Sequence, residues 1–197
     1  MFPIFLKLDG RRCLVVGAGK VAEAKIRGLL DARASIEVVA PEAVWQIQKW
    51  AWEGVIGWKA RAFQATDLDQ SSLVIAATSN REVNVEVFRQ ARLRNVLCNS
   101  VDDPENCDFY YPAVVNRGDL QIAISTGGRS PALAQRLRRE LEEQFGAEYE
   151  PWVADLGKAR EQLSAQVLDT DARRKLLHEI ASREAFINRN SPQRGEN

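Results

Sequence analysis

Histidine is almost missing: His178 is the only one in 197 residues. A multi-histidine metal cage within the chain is thereby excluded. Catalysis through a Ser-His or Asp-His couple is disfavoured too, because His178 falls in a late, charge-rich stretch of helical pattern. Cysteine is scarce. Cys13, Cys98 and Cys107 are odd in number and lack metal-type spacing. Cys13 and Cys98 sit in apolar runs that read as strands and are expected to be packed thiols, and Cys107 to be free and inert. Net charge is absent, with 27 basic residues against 27 acidic ones, so nothing argues for nucleic acid as a partner. No apolar run is long enough to span a bilayer, and the opening Met-Phe-Pro-Ile-Phe-Leu-Lys lacks a charged n-region and a cleavage site. No membrane partner is expected, and the expected location is cytoplasmic. The remaining composition, 45% apolar and 27% charged, is that of a globular chain of one or two domains.

What is present is a glycine-rich turn in an informative setting, Cys13-Leu-Val-Val-Gly17-Ala-Gly19-Lys-Val-Ala22. The β-branched run ahead of it reads as a buried parallel strand. Val21, Ala22, Lys25, Ile26, Leu29 and Leu30 then recur at helical spacing. Gly-x-Gly-x-x-Ala between strand and helix is a dinucleotide-binding pattern: Gly17 for the tight turn, Gly19 for close approach of a pyrophosphate, Ala22 for helix–strand packing. The bland alternative is a structural turn with no ligand.

Alternating patterns continue. Strands are expected at 36–40, 55–58, 73–77 and 96–99, and helices at 44–52 and 83–93. Such alternation predicts right-handed βαβ units, a parallel sheet and ligands beyond its carboxyl edge. Loops 17–20, 40–42, 78–80 and 99–103 are then expected to face one crevice, with Thr78 on the cofactor side and Asn99 on the substrate side. After Pro104 the pattern becomes a hairpin, 108–115 and 120–125, in which Leu120, Ile122 and Ile124 alternate with Gln121, Ala123 and Ser125. A helix at 132–145 follows, with Ser130 as N-cap and Pro131 at the first helical position. Residues 148–188 read as two helices broken near Asp169-Thr170-Asp171, and 188–197 as a frayed polar tail.

The acid expected at the end of the second strand, to hold a ribose, is out of place. Glu37 lies within the strand and Glu42 past it. Glu42 is the better ribose contact; a helix-start carboxylate is its plain alternative. No Arg follows the strand to take a 2′-phosphate, which favours NAD over NADP. No Tyr-x-x-x-Lys pair follows Tyr110, Tyr111 or Tyr149. The candidate acid–base groups are therefore the carboxylates of Asn99-Ser-Val-Asp102-Asp103-Pro104, which also suit a simple turn. Thr126, Gly127, Gly128, Arg129 and Ser130 form a glycine-rich entry to a helix, suited to a carboxylate-bearing ligand or to mere capping. Arg136, Arg138 and Arg139 read as a solvated basic face.

Together these segments resemble the precorrin-2 dehydrogenase / sirohydrochlorin ferrochelatase family, the N-terminal half of bifunctional siroheme synthases, which also occurs free-standing. The resemblance is carried by Phe2-Pro-Ile-Phe-Leu, the glycine turn through Lys25, Ile75-Ala-Ala-Thr78, Val83-Asn84, Asn99-Ser-Val-Asp102, Phe109 to Pro112, and Ser125-Thr-Gly-Gly-Arg-Ser-Pro-Ala-Leu-Ala134. It implies a Rossmann-like parallel sheet (1–112), a small α+β dimerisation region (113–145) and a C-terminal helical region (146–197). It implies NAD⁺ as hydride acceptor from precorrin-2, giving sirohydrochlorin, with Fe²⁺ or Co²⁺ insertion a further activity of many members. Cofactor contacts carry over to Lys20, Val21, Pro41 and Glu42. The family's catalytic aspartate falls on Asp102, not Asp103. An interlocked homodimer is implied, no resident metal is required, and with no methyltransferase domain following, that third activity is expected to be missing. The alternative is a non-catalytic NAD-sensing module, which explains the glycine turn but leaves Asp102 and residues 125–134 without a purpose.

Overall fold

A computed structural model describes residues 1–167 and 169–190. The chain divides into two compact units, Met1–Tyr111 and Pro112 onward. In the first, the alternation of strand and helix produces β1 (Arg12–Val16), α1 (Lys20–Asp31), β2 (Ser35–Val39), α2 (Trp45–Trp52), β3 (Gly57–Lys59), β4 (Leu73–Ala76), α3 (Arg81–Leu93) and β5 (Leu97–Ser100). All strand pairings are parallel, in the order β3-β2-β1-β4-β5.

Strand periodicity sorts the core into two layers. Cys13 and Val15 point to one face and pack with Ala22, Ile26 and Leu29 of α1 and Ile47 of α2. Leu14 and Val16 point to the other and pack with Val87 and Ala91 of α3. Both faces of the sheet are covered, which explains why its strands are continuous apolar runs. The order reverses at β1, flanked by β2 on one side and β4 on the other, so a crevice opens beyond the carboxyl ends of β1 and β4.

In the second unit β6 (Ala113–Arg117) and β7 (Leu120–Ile124) form an antiparallel hairpin. The first hairpin strand thus begins at Ala113, not at Asp108. Asp108 is held in the first unit, its N–H donating to Cys98 O at 2.7 Å and its carboxylate accepting from Cys98 N at 3.0 Å. The expected third strand also shifts: Val55 and Ile56 end a turn, and only Gly57–Lys59 pairs with Glu37–Val39. Helix α4 (Pro131–Gln144) starts as expected, Ser130 Oγ accepting from Leu133 N. Among the described residues three helices follow instead of two: α5 (Tyr149–Gln166), α6 (Thr170–Ile180) and α7 (Arg183–Asn190). The unforeseen break falls at Ala181-Ser182, where Ser182 Oγ accepts from Ala185 N and restarts the helix. Helix α7 also carries residues 188–190, where fraying was expected; tail residues 191–197 lie outside the described residues.

Candidate functional site

The glycine turn is built to stay tight. Gly17 has φ +104°, and a Cβ there would stand 2.7 Å from Ala77 C and 2.9 Å from Thr78 N. Only glycine accommodates that backbone and that neighbour. Gly19, by contrast, faces open space. It is the N-cap of α1 and offers no side-chain cap, while the first intrahelical bond of the turn is Glu23 N to Gly19 O. The N–H groups of the first helical residues, Lys20, Val21 and Ala22, are therefore left for an anion.

Neighbouring loops are tied to this turn. Gly17 N donates to Val39 O at 2.9 Å and Val44 N to Ala18 O at 3.0 Å, which fixes the exposed Pro41 and Glu42 beside it. Helix α2 begins only at Trp45, so Glu42 is a loop residue and not a first-turn carboxylate. Thr78 is pinned by the buried Asn84, whose Oδ1 accepts from Thr78 N at 3.2 Å and Thr78 Oγ1 at 2.7 Å. Asn99 is buried, and its Nδ2 donates to Phe109 O at 2.8 Å, so it braces the following loop.

The two adjacent aspartates have different fates. Asp103 stands 3.7 Å from Arg81 and accepts from Asn106 Nδ2 at 2.8 Å. Asp102 is exposed, has φ +60°, and among the described residues makes no hydrogen bond or ion pair. It interacts electrostatically with Lys25. Cys107 follows as a brace, Sγ donating to Ser100 O and Asp103 O, its thiol raised chiefly by burial. Burial also pushes the Cys13 thiol to about 11 and Cys98 to about 12, which keeps both inert.

Lys25 and Tyr111 were missed as site residues. The Lys25 ammonium lies 3.6 Å from the centre of the Tyr111 ring. A cavity of about 530 Å³ is lined by Lys20, Val21, Ala24, Lys25, Gly28 and Tyr111. Helical spacing signals the α1 face, but nothing in the sequence signals the approach of Tyr111.

In the second unit, the 126–130 turn is internally bonded. Ser130 N donates to Thr126 Oγ1 at 3.0 Å, and Gly127 and Gly128 hold φ +65° and +79°. The Arg129 side chain is exposed and makes no ion pair among the described residues. Arg136 and Arg138 pair with Glu140 and Glu142 along α4, as a solvated face should. No helix among the described residues is long and apolar enough to cross a membrane.

A parallel sheet whose first strand ends in a glycine turn with open helix N–H groups at the switch point defines a Rossmann-like dinucleotide-binding protein. The chain belongs to the family described as "Putative NAD(P)-binding", whose model matches residues 4–113. Residues 117–144 match the model for "Sirohaem biosynthesis protein central". Siroheme synthase 3 of Aeromonas hydrophila is 40% identical over 178 residues, which is 90% of this chain and 38% of that protein. Siroheme synthase of Methylobacillus flagellatus is 42% identical over 177 residues, 90% of this chain and 38% of that one. The chain thus spans about two fifths of the length of these curated relatives. The solved structure of SirC, precorrin-2 dehydrogenase, is similar with a TM-score of 0.82 and 29% identity, over 95% of this chain and 92% of that chain. The resemblance read from the sequence holds.

Proposed function

We propose that this chain oxidises precorrin-2 to sirohydrochlorin in siroheme biosynthesis, with NAD⁺ as the oxidant. The end-to-end likeness to SirC carries the reading, and the crevice chemistry supports it. When bound, NAD⁺ supplies the hydride acceptor. The backbone N–H groups at the start of α1 hold its pyrophosphate, with Gly17, Gly19, Lys20 and Val21 on one side and Thr78 on another. Pro41 and Glu42 take the ribose end. The cations at and just past the end of the neighbouring strand β3, Lys59 and Arg61, are engaged by Glu37 and by the buried Asp67, which favours NAD over NADP.

Oxidation removes a hydride and a proton from the macrocycle. Asp102 takes the proton; it is the unengaged one of the two aspartates, whereas Asp103 is committed to Arg81 and Asn106. Asn99 shapes the Asp102 loop, and Thr126, Gly127, Gly128, Arg129 and Ser130 of the second unit bind carboxylate arms of the tetrapyrrole. The same carboxylate serves insertion of Fe²⁺ or Co²⁺ as substrate, by accepting pyrrolic protons. A homodimer joined through residues 113–145 and a cytoplasmic setting complete the reading; a two-stranded hairpin alone is marginally stable, and a partner would cover it.

The test is turnover. Purified protein with precorrin-2 and NAD⁺ should yield sirohydrochlorin and NADH. Asp102→Ala should lose about 10²–10⁴-fold in kcat with NAD⁺ affinity unchanged. Normal turnover by that variant would remove Asp102 from the mechanism, and NAD⁺ binding without tetrapyrrole chemistry in the wild type would favour a sensing module. Metal insertion into sirohydrochlorin without NAD⁺, no faster than the spontaneous rate, would confine the chain to dehydrogenation.

A further inference from the structure

Lys25 is an unusual cation. It projects from the second turn of α1, is half-buried, and among the described residues has no carboxylate within ion-pair distance and no hydrogen-bond acceptor. Its partner is the face of an aromatic ring, Tyr111, at 3.6 Å. Cation–π contact offsets only part of the cost of removing an ammonium from water. Burial accordingly pulls the Lys25 ammonium below its ordinary value, and the Asp102 charge restores some of that loss. Such a group gains most from an anion that brings its own negative charge into the same recess.

The surroundings fit a side arm better than a whole ligand. Val21, Ala24 and Gly28 form the floor along α1, Tyr111 is the opposite wall, and Lys25 supplies the cationic group, with Lys20 at the cofactor end of the recess. All these residues belong to the first unit and to the same recess.

We propose that the cleft between α1 and Tyr111 is a carboxylate subsite, in which the Lys25 ammonium binds a carboxylate arm of the tetrapyrrole and so orients the macrocycle toward Asp102. Tyr111 holds Lys25 in place and excludes water from one side of it. This rests on the reading of the chain as a precorrin-2 dehydrogenase, but it makes a separate demand: the lysine serves the macrocycle, not the dinucleotide.

The experiment measures three quantities on the full chain for wild type, Lys25→Met, Lys25→Arg and Lys158→Met. These are sirohydrochlorin affinity by absorbance titration at two salt concentrations, NAD⁺ affinity, and precorrin-2 turnover. The expected result for Lys25→Met is a loss of about tenfold or more in sirohydrochlorin affinity, with a shallower salt dependence and unchanged NAD⁺ affinity, the last also reporting that the variant is folded. Lys25→Arg should recover most of the affinity, and Lys158→Met, on α5, should match wild type. In turnover the loss should appear mainly in KM. Unchanged sirohydrochlorin affinity in Lys25→Met overturns the proposal. So does a loss confined to NAD⁺ affinity, which would assign the lysine to the cofactor, or a loss in both that Lys25→Arg does not rescue, which would make its role structural. A wild type that binds sirohydrochlorin but does not oxidise precorrin-2 sinks the dehydrogenase reading and leaves the subsite to be judged on the titration. A wild type that binds no tetrapyrrole sinks both.

Discussion

The two units of this chain solve the burial problem differently. In Met1–Tyr111, strands alternate inward on both faces and lock with helices into two apolar clusters whose central side chains are fully buried. From Pro112 onward the buried hydrophobics among the described residues are Ala113, Val115 and Ala134, and neither α5 nor α6 has a buried residue. The first unit carries its own core. The second is assembled from amphipathic pieces linked by ring contacts such as Tyr149 with Phe186 and by ion pairs such as Arg189 with Asp155. Its stability should depend on local caps and on what covers it, whereas that of the first should depend on backbone geometry and buried charge.

Substitutions can break or sharpen that contrast. The largest effect is expected at Gly17→Ala. The added methyl would strain a φ of +104° and strike the backbone at Ala77, for a loss of about 3 kcal/mol or more in urea unfolding, with NAD⁺ binding abolished. A loss below about 1 kcal/mol would mean the turn yields, and that the first unit is less rigid than its packing implies.

Next comes the buried carboxylate of Asp67 and its partly exposed cationic partners. Asp67 is fully enclosed and accepts from both Arg61 Nη atoms at 2.8 and 2.5 Å and from Gln64 N at 2.9 Å. Burial alone would raise its carboxyl; the Arg61 and Gln64 hydrogen bonds and the Arg61 and Lys59 charges outweigh burial and hold it below its usual value. Arg61→Met should therefore lower the unfolding midpoint of the first unit, because the enclosed Asp67 carboxylate then keeps only Gln64 N and Lys59 as partners. Because the folded carboxyl is depressed, the stabilisation is complete above the unfolded value of about 3.9 and disappears as pH falls through the folded one. Unfolding midpoints measured from neutral pH down into this acidic window should fall more steeply for wild type than for Asp67→Asn. Parallel curves would remove this network from the account of the first unit.

The smallest effect is expected in the second unit. Ser130→Ala removes the cap of α4 and should cost about 1 kcal/mol, and Ser130→Gly only a few tenths. If Ser130→Ala instead matched the loss at Gly17, the contrast between self-sufficient and locally held units would fail.

The same contrast decided how much was legible in the sequence. The continuous apolar runs of β1 and β4 and the Gly17–Ala22 turn reveal a buried parallel sheet because burial on both faces leaves few alternatives. The two aspartates were visible as candidates, but Arg81 and Asn106, which occupy Asp103, were not, since their approach is tertiary. The same holds for Tyr111 over Lys25. The shortened hairpin strand reflects Asp108 bonding back to Cys98, a long-range competitor to strand pairing. The break before α7 did leave a local signal, a serine at 182 with the acidic Glu184 in the first turn after it, but charge density on both sides of it masked the boundary.

The left-handed backbone at Asp102 has an evolutionary consequence. A φ of +60° is uncomfortable for any residue with a side chain beyond asparagine or aspartate, and glycine relaxes it fully. A library selected for thermal tolerance alone would be expected to drift toward glycine or asparagine at 102. A library selected for tetrapyrrole turnover would have to resist that drift. Passing the same gene through both selections would turn one torsion angle into a record of which demand had been applied.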